Sequence, residues 1–444
     1  MGGLLCKKEK TRRDWEDVLN DDIWSASRLP VELNYAIYLS YEDMHPYLKQ
    51  CFLHFSLKPK KTVLSVNEVV SMWIGEGLIH GDSCSLEDEG KRYYNELILR
   101  NLIEVDTNYP GQLIGNMHDV VRSFALVVAR DEALVAHSGD ATENKIRSHS
   151  FLRLSIEAKG LESDGFEWRY LTEQALLRTL ILTGNFKMQP GSSLITFSSL
   201  RTLYIEHANC AALVESMCQL KHLRYLSLRS CTDISRLPEN IHEIKFLQHI
   251  TLDGCEGIVK LPDNIVKLRE LRYLDIDDTH VNTIPRGFGA LTNLRVLCGF
   301  PAYMDGEWCS LEELGPLSQI KKLNLVGLQN VSATSYIAEA RIGTKASLTT
   351  LKLICGSRPG DYGLVKGGIS EEDEQRIEKV FDELCPLPCI EFLLIRRYFG
   401  GRLPKWMMCA ATVPFENLRT LWMVDCLAAP NSLMDYADSH IWVT

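Results

Sequence analysis

The groups able to do chemistry in this 444-residue chain are plentiful but scattered. Serine, histidine and acidic residues never fall into G-x-S-x-G or H-E-x-x-H, the spacings that set up a nucleophile or a hydrolytic zinc. No G-x-x-x-x-G-K-[ST] occurs, so the Gly-rich cradle and lysine that hold nucleotide phosphates are absent from the sequence. The 14 cysteines form no C-x-x-C pair, and Cys385 and Cys389 lack the usual zinc half-site spacing. Reduced core thiols of a cytosolic protein are the expectation, with no metal and no catalytic set. Two groups keep functional weight. One is Met117-His118-Asp119; the other is an acidic cluster, Asp275, Asp277 and Asp278, flanked by Asp253 and Arg229.

What positions the second group is a phrase that keeps returning: Leu177-Arg-Thr-Leu-Ile-Leu182, Leu200-Arg-Thr-Leu-Tyr-Ile205, Leu223-Arg-Tyr-Leu-Ser-Leu228, Leu247-Gln-His-Ile-Thr-Leu252, Leu271-Arg-Tyr-Leu-Asp-Ile276 and Leu294-Arg-Val-Leu297. First leucines are 200−177 = 23, 223−200 = 23, 247−223 = 24, 271−247 = 24 and 294−271 = 23 residues apart. That period with L-x-x-L-x-L is a leucine-rich repeat. Cys231, Cys255 and Thr279 keep step three residues after the last apolar residue, where a small or hydrogen-bonding side chain closes the turn. Leu237-Pro238, Leu261-Pro262 and Ile284-Pro285 mark the return on the convex side. Looser copies follow at Ile320, Leu348, Ile390 and Leu418, the 42-residue gap before Ile390 holding a Gly-rich loop (Gly356 to Gly368) and an acidic helix start.

Each unit is too small to bury its own leucines, so the units must stack into a curved solenoid with a continuous core and a parallel sheet. Alternation along the strand predicts Leu180, Leu203, Leu226, Ile250 and Leu274 in one buried stack. The same alternation turns Ile181, Tyr204, Ser227, Thr251 and Asp275 outward, with Glu206, Arg229, Asp253 and Asp277 just after them. Such a face reads another macromolecule, and Tyr204, Glu206, Arg229, Asp253, Asp275, Asp277 and Asp278 are the partner-binding candidates. The recurring Arg178, Arg201, Arg224, Arg272 and Arg295 read as a solvated ladder at the sheet edge.

Ahead of the repeats, residues 31–145 read as a compact helical block. Helices fit Tyr47–Leu53, Asn67–Ile74 and Glu87–Leu99, and a hairpin follows, Leu102–Val105 and Gln112–Ile114 around a turn at 108–111. Three helices and a β-wing outline a winged helix. Met117-His118-Asp119 then opens a helix with Val120, Val121, Phe124 and Val128 on one face. Residues 1–30 carry Trp15, Val18, Leu19, Ile23 and Trp24 at helical spacing, too few to make a domain. The expected fold class is therefore α/β: a mostly helical winged-helix domain (31–145), preceded by the remnant of a helical subdomain (1–30) and followed by a leucine-rich-repeat solenoid (146–444). Net charge −10 and the lack of a dense basic block argue against nucleic acid, and no apolar run has the ~20 residues that span a bilayer.

Leu48-Lys-Gln-Cys-Phe-Leu53, Trp73-Ile-Gly-Glu-Gly-Leu-Ile79, Leu97-Ile-Leu-Arg-Asn-Leu-Ile103, Met117-His118-Asp119 and Tyr398-Phe-Gly-Gly-Arg-Leu-Pro-Lys-Trp406 together resemble the plant intracellular immune receptors with a nucleotide-binding (NB-ARC) domain and leucine-rich repeats, of the coiled-coil class found in cereals. The resemblance implies a cytoplasmic, non-enzymatic role in defence and innate immunity, by protein recognition and autoregulation. Its partners would be a pathogen effector, a host protein under guard, or the chain's own or a paired nucleotide-binding domain. It further implies that His118 contacts the β-phosphate of ADP in full-length relatives; a histidine packed locally at a helix start is the other reading. The family's phosphate loop, acidic metal-binding strand and coiled coil would lie upstream of Met1, so a truncated product with no cofactor of its own is expected. The alternative is an ADP/ATP-dependent switch whose nucleotide domain comes from a missing N-terminal region. Lys60-Lys61 stand where the family has an acidic pair.

Overall fold

Local sequence signals set the helices of the first part. Pro46 opens one helix, α2 (Pro46–Phe55), at a position where its missing N–H costs nothing, and His45 caps it by accepting from the Leu48 amide at 3.3 Å. Ser65 and Glu68 form a capping box at the start of α3 (Val66–Glu76), which Gly77 ends in the left-handed conformation. Ser85 and three acidic residues begin α4 (Leu86–Leu99). An additional helix, α1 (Tyr35–Glu42), precedes them. Phe52, Trp73, Tyr94 and Leu97 are fully buried where these helices meet. Arg100 is buried at the end of α4 and joins it to α1 through Asp43 at 3.0 Å and the Ser40 carbonyl at 3.2 Å. The wing is short: β1 (Glu104–Val105) pairs antiparallel with β2 (Gly115–Asn116), so its second strand lies just beyond the expected 112–114. Then comes α5 (Asp119–Ala129), whose Arg122 is buried and donates to the Ser56 carbonyl at the end of α2.

The computed structural model describes residues 35–443 apart from 61, 81–84, 107, 109–112, 159–167, 187–192, 307, 332–333, 357–369, 409–416 and 428–439. The segment 1–30, most of the 108–111 turn and nearly all of the Gly-rich loop therefore lie outside the described residues. Two compact units divide the chain, one of residues 1–184 with 196–203 and one of residues 185–195 with 204–444.

In the first unit a parallel ladder begins earlier than residue 146. β3 (Ala133–His137) pairs with β4 (Arg153–Glu157) across a short helix, α6 (Asp140–Ser148), and β4 pairs with β5 (Thr179–Thr183). The helical block and this ladder are tied together by polar bonds. Arg153, buried on β4, donates to Glu132 at 3.1 Å and to Gln50 at 3.3 Å. Glu76, at the end of α3, accepts from Thr179 at 2.7 Å through its carboxylate and from Arg201 at 2.8 Å through its carbonyl. Arg201 is thus a strap onto the helical block, not a rung of a solvated ladder.

The strand β6 (Thr202–Glu206) carries the boundary between the units. In the second unit β7 (Tyr225–Arg229), β8 (His249–Thr251), β9 (Tyr273–Asp275) and β10 (Val296–Pro301) pair in parallel. A small hairpin follows, β11 (Met304–Asp305) with β12 (Trp308–Cys309). The parallel ladder resumes through β13 (Lys322–Val326), β14 (Thr350–Ile354), β15 (Phe392–Arg396), β16 (Thr420–Val424) and β17 (His440–Val443). Leu226, Ile250, Leu274, Leu297, Leu323, Leu351 and Leu393 stand in register and are fully buried. In the first unit Leu180 and Leu203 are equally buried. The expected leucine stack is present because stacking is the way a 23-residue unit removes its leucines from water.

Each turn is closed as the repeat requires. Cys231 donates to the Arg229 carbonyl at 3.4 Å, Cys255 to the Leu228 carbonyl at 2.7 Å and Thr279 to the Ile276 carbonyl at 2.7 Å. The residue seven places after the first leucine of the motif has positive φ in eight repeats: Gly184, His207, Ser230, Gly254, Asp278, Gly327, Arg397 and Asp425. In these eight repeats the strand leaves the sheet through one left-handed residue, a conformation that glycine adopts freely and other residues at a cost of about 1–2 kcal/mol. Helix α7 (Glu371–Glu383) occupies the convex side between β14 and β15, capped by Ser370 and held by its buried Ile377, Val380 and Phe381. No disulfide joins the cysteines among the described residues.

Candidate functional site

Numbering each motif from its first leucine, the third, fifth and seventh residues share the sheet face opposite the leucine stack. In the second unit the third residues Tyr225, His249 and Tyr273 stack as parallel rings with centroids 4.1 and 4.0 Å apart. The seventh residues Arg229 and Asp253 make an ion pair at 2.6 Å. Between these two rows lie the fifth residues Ser227 and Thr251, fully buried, with the Thr251 hydroxyl 2.7 Å from His249 Nε2.

This corrects the expected reading surface. Tyr204, taken as an outward aromatic anchor, is 1% exposed, and Ile181, Ser227 and Thr251 are likewise buried. The cause is crowding: neighbouring strands bring side chains of one row within about 5 Å of each other. Ser227 and Thr251, with the ring stack on one side and the Arg229–Asp253 pair on the other, are left little solvent. Glu206, Arg229, Asp253, Asp275 and Asp277 are half-buried, and Asp278 is exposed.

The acidic group is brought together by an irregularity in β10. Where other motifs have leucine, isoleucine or methionine in the sixth place this one has Gly299, and Phe300 fills the core after a one-residue shift of register against β13. Gly299 has φ +75°, and a Cβ there would lie 2.6 Å from the Ile276 carbonyl carbon and 2.7 Å from the Asp277 amide nitrogen. Only a glycine lets the two backbones approach so closely. Across this gap Asp277 reaches Asn324 on β13, whose amide donates to both carboxylate oxygens at 2.6 and 2.9 Å. Carboxylate oxygens of Asp275 and Asp277 and the thiol of Cys298 lie within 4.8 Å of one another.

Burial, and then the charges of Asp277 and Asp253, push the Asp275 carboxyl up to about 7. Burial also raises Asp277, against the pull of Lys352, Lys322 and the Asn324 hydrogen bond. Asp278 is raised mainly by desolvation as well. Burial drives His249 well below its ordinary value and keeps the stacked ring neutral. Cys298 and Asn324 stand in the fifth place of their motifs and the stacked rings in the third. The repeat register places them on this face, but nothing in the linear sequence marks them as one group.

In the first unit, Met117 is half-buried and His118 is exposed at the N-cap of α5, where its Nδ1 accepts from the Val120 amide at 3.3 Å. Asp119 pairs with Lys60 at 2.6 Å on the surface, and that hydrogen bond holds its carboxyl below the ordinary range. Lys60 thus gives Asp119 a positive partner at the start of α5. A cleft of about 560 Å³ opens beside them, lined by Lys60, Asp119, Arg122, Ser123, His137 and Glu157 among others. Its charges are of both signs.

Comparison with known proteins gives two family matches: residues 57–125 match the winged helix domain of disease resistance proteins, and residues 177–434 match a leucine-rich repeat region. The chain is 32% identical over 432 residues to the putative disease resistance protein RGA1 of Solanum bulbocastanum, covering 97% of this chain and 40% of that protein. It is 25% identical over 437 residues to the disease resistance RPP13-like protein 4 of Arabidopsis thaliana, covering 92% of this chain and 46% of that one. The chain thus spans less than half the length of these relatives. Among solved structures, a leucine-rich-repeat protein of Leptospira interrogans aligns at 16% identity and a TM-score of 0.42, covering 66% of this chain and 72% of that one.

Proposed function

The chain belongs to the plant disease resistance proteins that join a winged-helix domain to leucine-rich repeats, and from that premise we propose that it acts in defence by protein recognition and autoregulation. It works without catalysis of its own, in the cytoplasm. The partner is a protein: a pathogen effector, a guarded host protein, or a nucleotide-binding domain held at rest. No helix among the described residues is long and apolar enough to cross a membrane.

The observation that carries this reading is the contrast between columns. The leucine stack repeats from strand to strand, while Glu206, Arg229, Asp253, Asp277 and Asp278 change from turn to turn and keep some or all of their solvent exposure. A repeat surface reads its partner through such positions. For nucleotide, the support points the other way in the chain by itself. His118 already commits its Nδ1 to its own helix, and no Gly-rich cradle stands in the sequence.

The test places this chain in a full-length relative and introduces Glu206→Lys and Asp278→Lys, which reverse one half-buried and one exposed charge and leave Asp275 and Asp277 unchanged. Loss of effector-dependent cell death identifies a recognition face. Cell death without effector identifies a resting contact with another domain. Wild-type behaviour in both assays refutes the reading.

A further inference from the structure

We propose that Asp275, Asp277, Cys298 and Asn324 form a binding site for a divalent transition-metal ion of the zinc class in the repeat unit. This inference stands apart from the recognition reading and does not rest on it. Three donor atoms, one each from Asp275, Asp277 and Cys298, already lie within 4.8 Å of one another. Around a tetrahedral zinc, with bonds of about 2.0–2.3 Å, donors sit about 3.3–3.8 Å apart, so side-chain rotation of about 1 Å closes the set.

A fourth group points to a missing ligand. Asn324 is 2% exposed, its amide faces the Asp277 carboxylate, and its Oδ1 is buried without a hydrogen-bond partner. Buried polar atoms are nearly always satisfied, so an orphaned carbonyl oxygen beside two carboxylates and a thiol calls for an explanation. Turning the amide by half a revolution gives up its two hydrogen bonds to Asp277 and brings that oxygen to the cluster, where a metal bound to Asp277 replaces those bonds and completes a four-donor set. The backbone supports this arrangement: Gly299 draws β10 against the Ile276–Asp277 peptide, and only then can Asp277 and Asn324 meet across it.

The donor chemistry selects the ion. A thiolate disfavours magnesium and calcium, which take oxygen alone, and two carboxylates with an amide oxygen disfavour copper(I). Zinc and cobalt(II) accept the mixture. Binding deprotonates the Cys298 thiol and any carboxyl still protonated, releasing those protons to solvent. Asp277 borders a cavity of about 70 Å³ that Asp278, Arg396 and Arg397 also line. The opposing account is that Lys322 and Lys352, whose charges reach Asp277, balance the acids without a metal.

The experiment takes the full chain after chelator treatment and titrates it with zinc by calorimetry and with cobalt(II) by absorption. The expected result is saturable zinc binding and a thiolate-to-cobalt charge-transfer band. Because 14 − 1 = 13 other cysteines are present, the variants decide. Cys298→Ser should abolish the band, and Cys385→Ser and Cys389→Ser should keep it. Asp275→Asn should weaken zinc by at least about tenfold while leaving the far-ultraviolet circular dichroism of the metal-free protein unchanged, so that a folding defect cannot account for the loss. No binding by the wild type, a band that survives Cys298→Ser, or calcium binding as tight as zinc overturns the proposal.

Discussion

Replacing Gly299 by alanine should be among the most damaging single-methyl changes the repeats can suffer. Two costs add. At φ +75° the left-handed conformation costs an alanine about 1 kcal/mol. Its methyl then falls 2.6–2.7 Å from three backbone atoms of Ile276 and Asp277, none of which can rotate away. Relieving that overlap means parting β9 from β10, at about 1–3 kcal/mol for forced overpacking. The total is about 2–4 kcal/mol, before any loss of the Asp277–Asn324 hydrogen bonds. Gly287 is the internal control, because it has φ +84° and nothing within 4 Å of a built Cβ. Gly287→Ala should therefore cost only the conformational part, about 1 kcal/mol. Urea unfolding of both variants, followed by circular dichroism and tryptophan fluorescence, gives the comparison. If Gly299→Ala unfolds at the same urea concentration as Gly287→Ala, the close approach is not what the glycine serves and the reasoning fails.

Other outcomes rest on the same geometry. The Asp275 carboxyl, raised to about 7 from 3.8, keeps a proton that the unfolded chain releases, so its contribution falls as pH rises from about 4 to about 7. Asp275→Asn should remove that slope and be more stable than wild type at pH 7.5, by on the order of 2 kcal/mol in thermal or urea unfolding. His249 has the opposite sign: its folded value is depressed, so its contribution is lost as pH falls below the unfolded 6.5. His249→Phe should keep the ring stack and flatten the acid limb of a stability–pH curve, with the Asp275 slope exposed. Leu274→Ala, at a fully buried position, should cost about 3–5 kcal/mol in unfolding free energy. Ser65→Ala breaks the capping box of α3 and should cost about 1 kcal/mol by the same assay.

The repeats were legible because their signal is periodic and redundant. Leucines at 23–24-residue spacing, the Cys231/Cys255/Thr279 column and the prolines of the convex return all state one register. Helices α2, α3 and α4 were legible as the helical stretches Tyr47–Leu53, Asn67–Ile74 and Glu87–Leu99. Helix α1 and strand β3 were not: neither carries the periodic phrase, and β3 gains its identity from pairing with β4. The site was legible in part. Asp275, Asp277 and Asp278 stand out as charges, and the motif register puts them on the right face. Burial of Tyr204 and Thr251 was not readable, because it depends on what neighbouring strands place beside them. The meeting of Asp277 with Asn324, 47 residues apart, depends on the register shift in β10, and a lone Gly299 in a leucine column is a faint sign of that.

The left-handed residue that ends most strands bears on how such a chain can change length over generations. Where a strand hands over so abruptly, as it does after β14 one place later at Gly356, the return segment is decoupled from the pairing of the next strand. The interval between Leu348 and Ile390 is 42 residues where the early repeats use 23 or 24, yet β14 and β15 still pair one to one from Thr350 with Phe392 to Ile354 with Arg396. Insertions and deletions on the convex side are thus absorbed without a fault in the sheet. Recombination between two copies at this hinge would add or remove a whole rung in register. Length added on the convex side thus leaves the strand pairing, and with it the rows of side chains on the sheet face, in place.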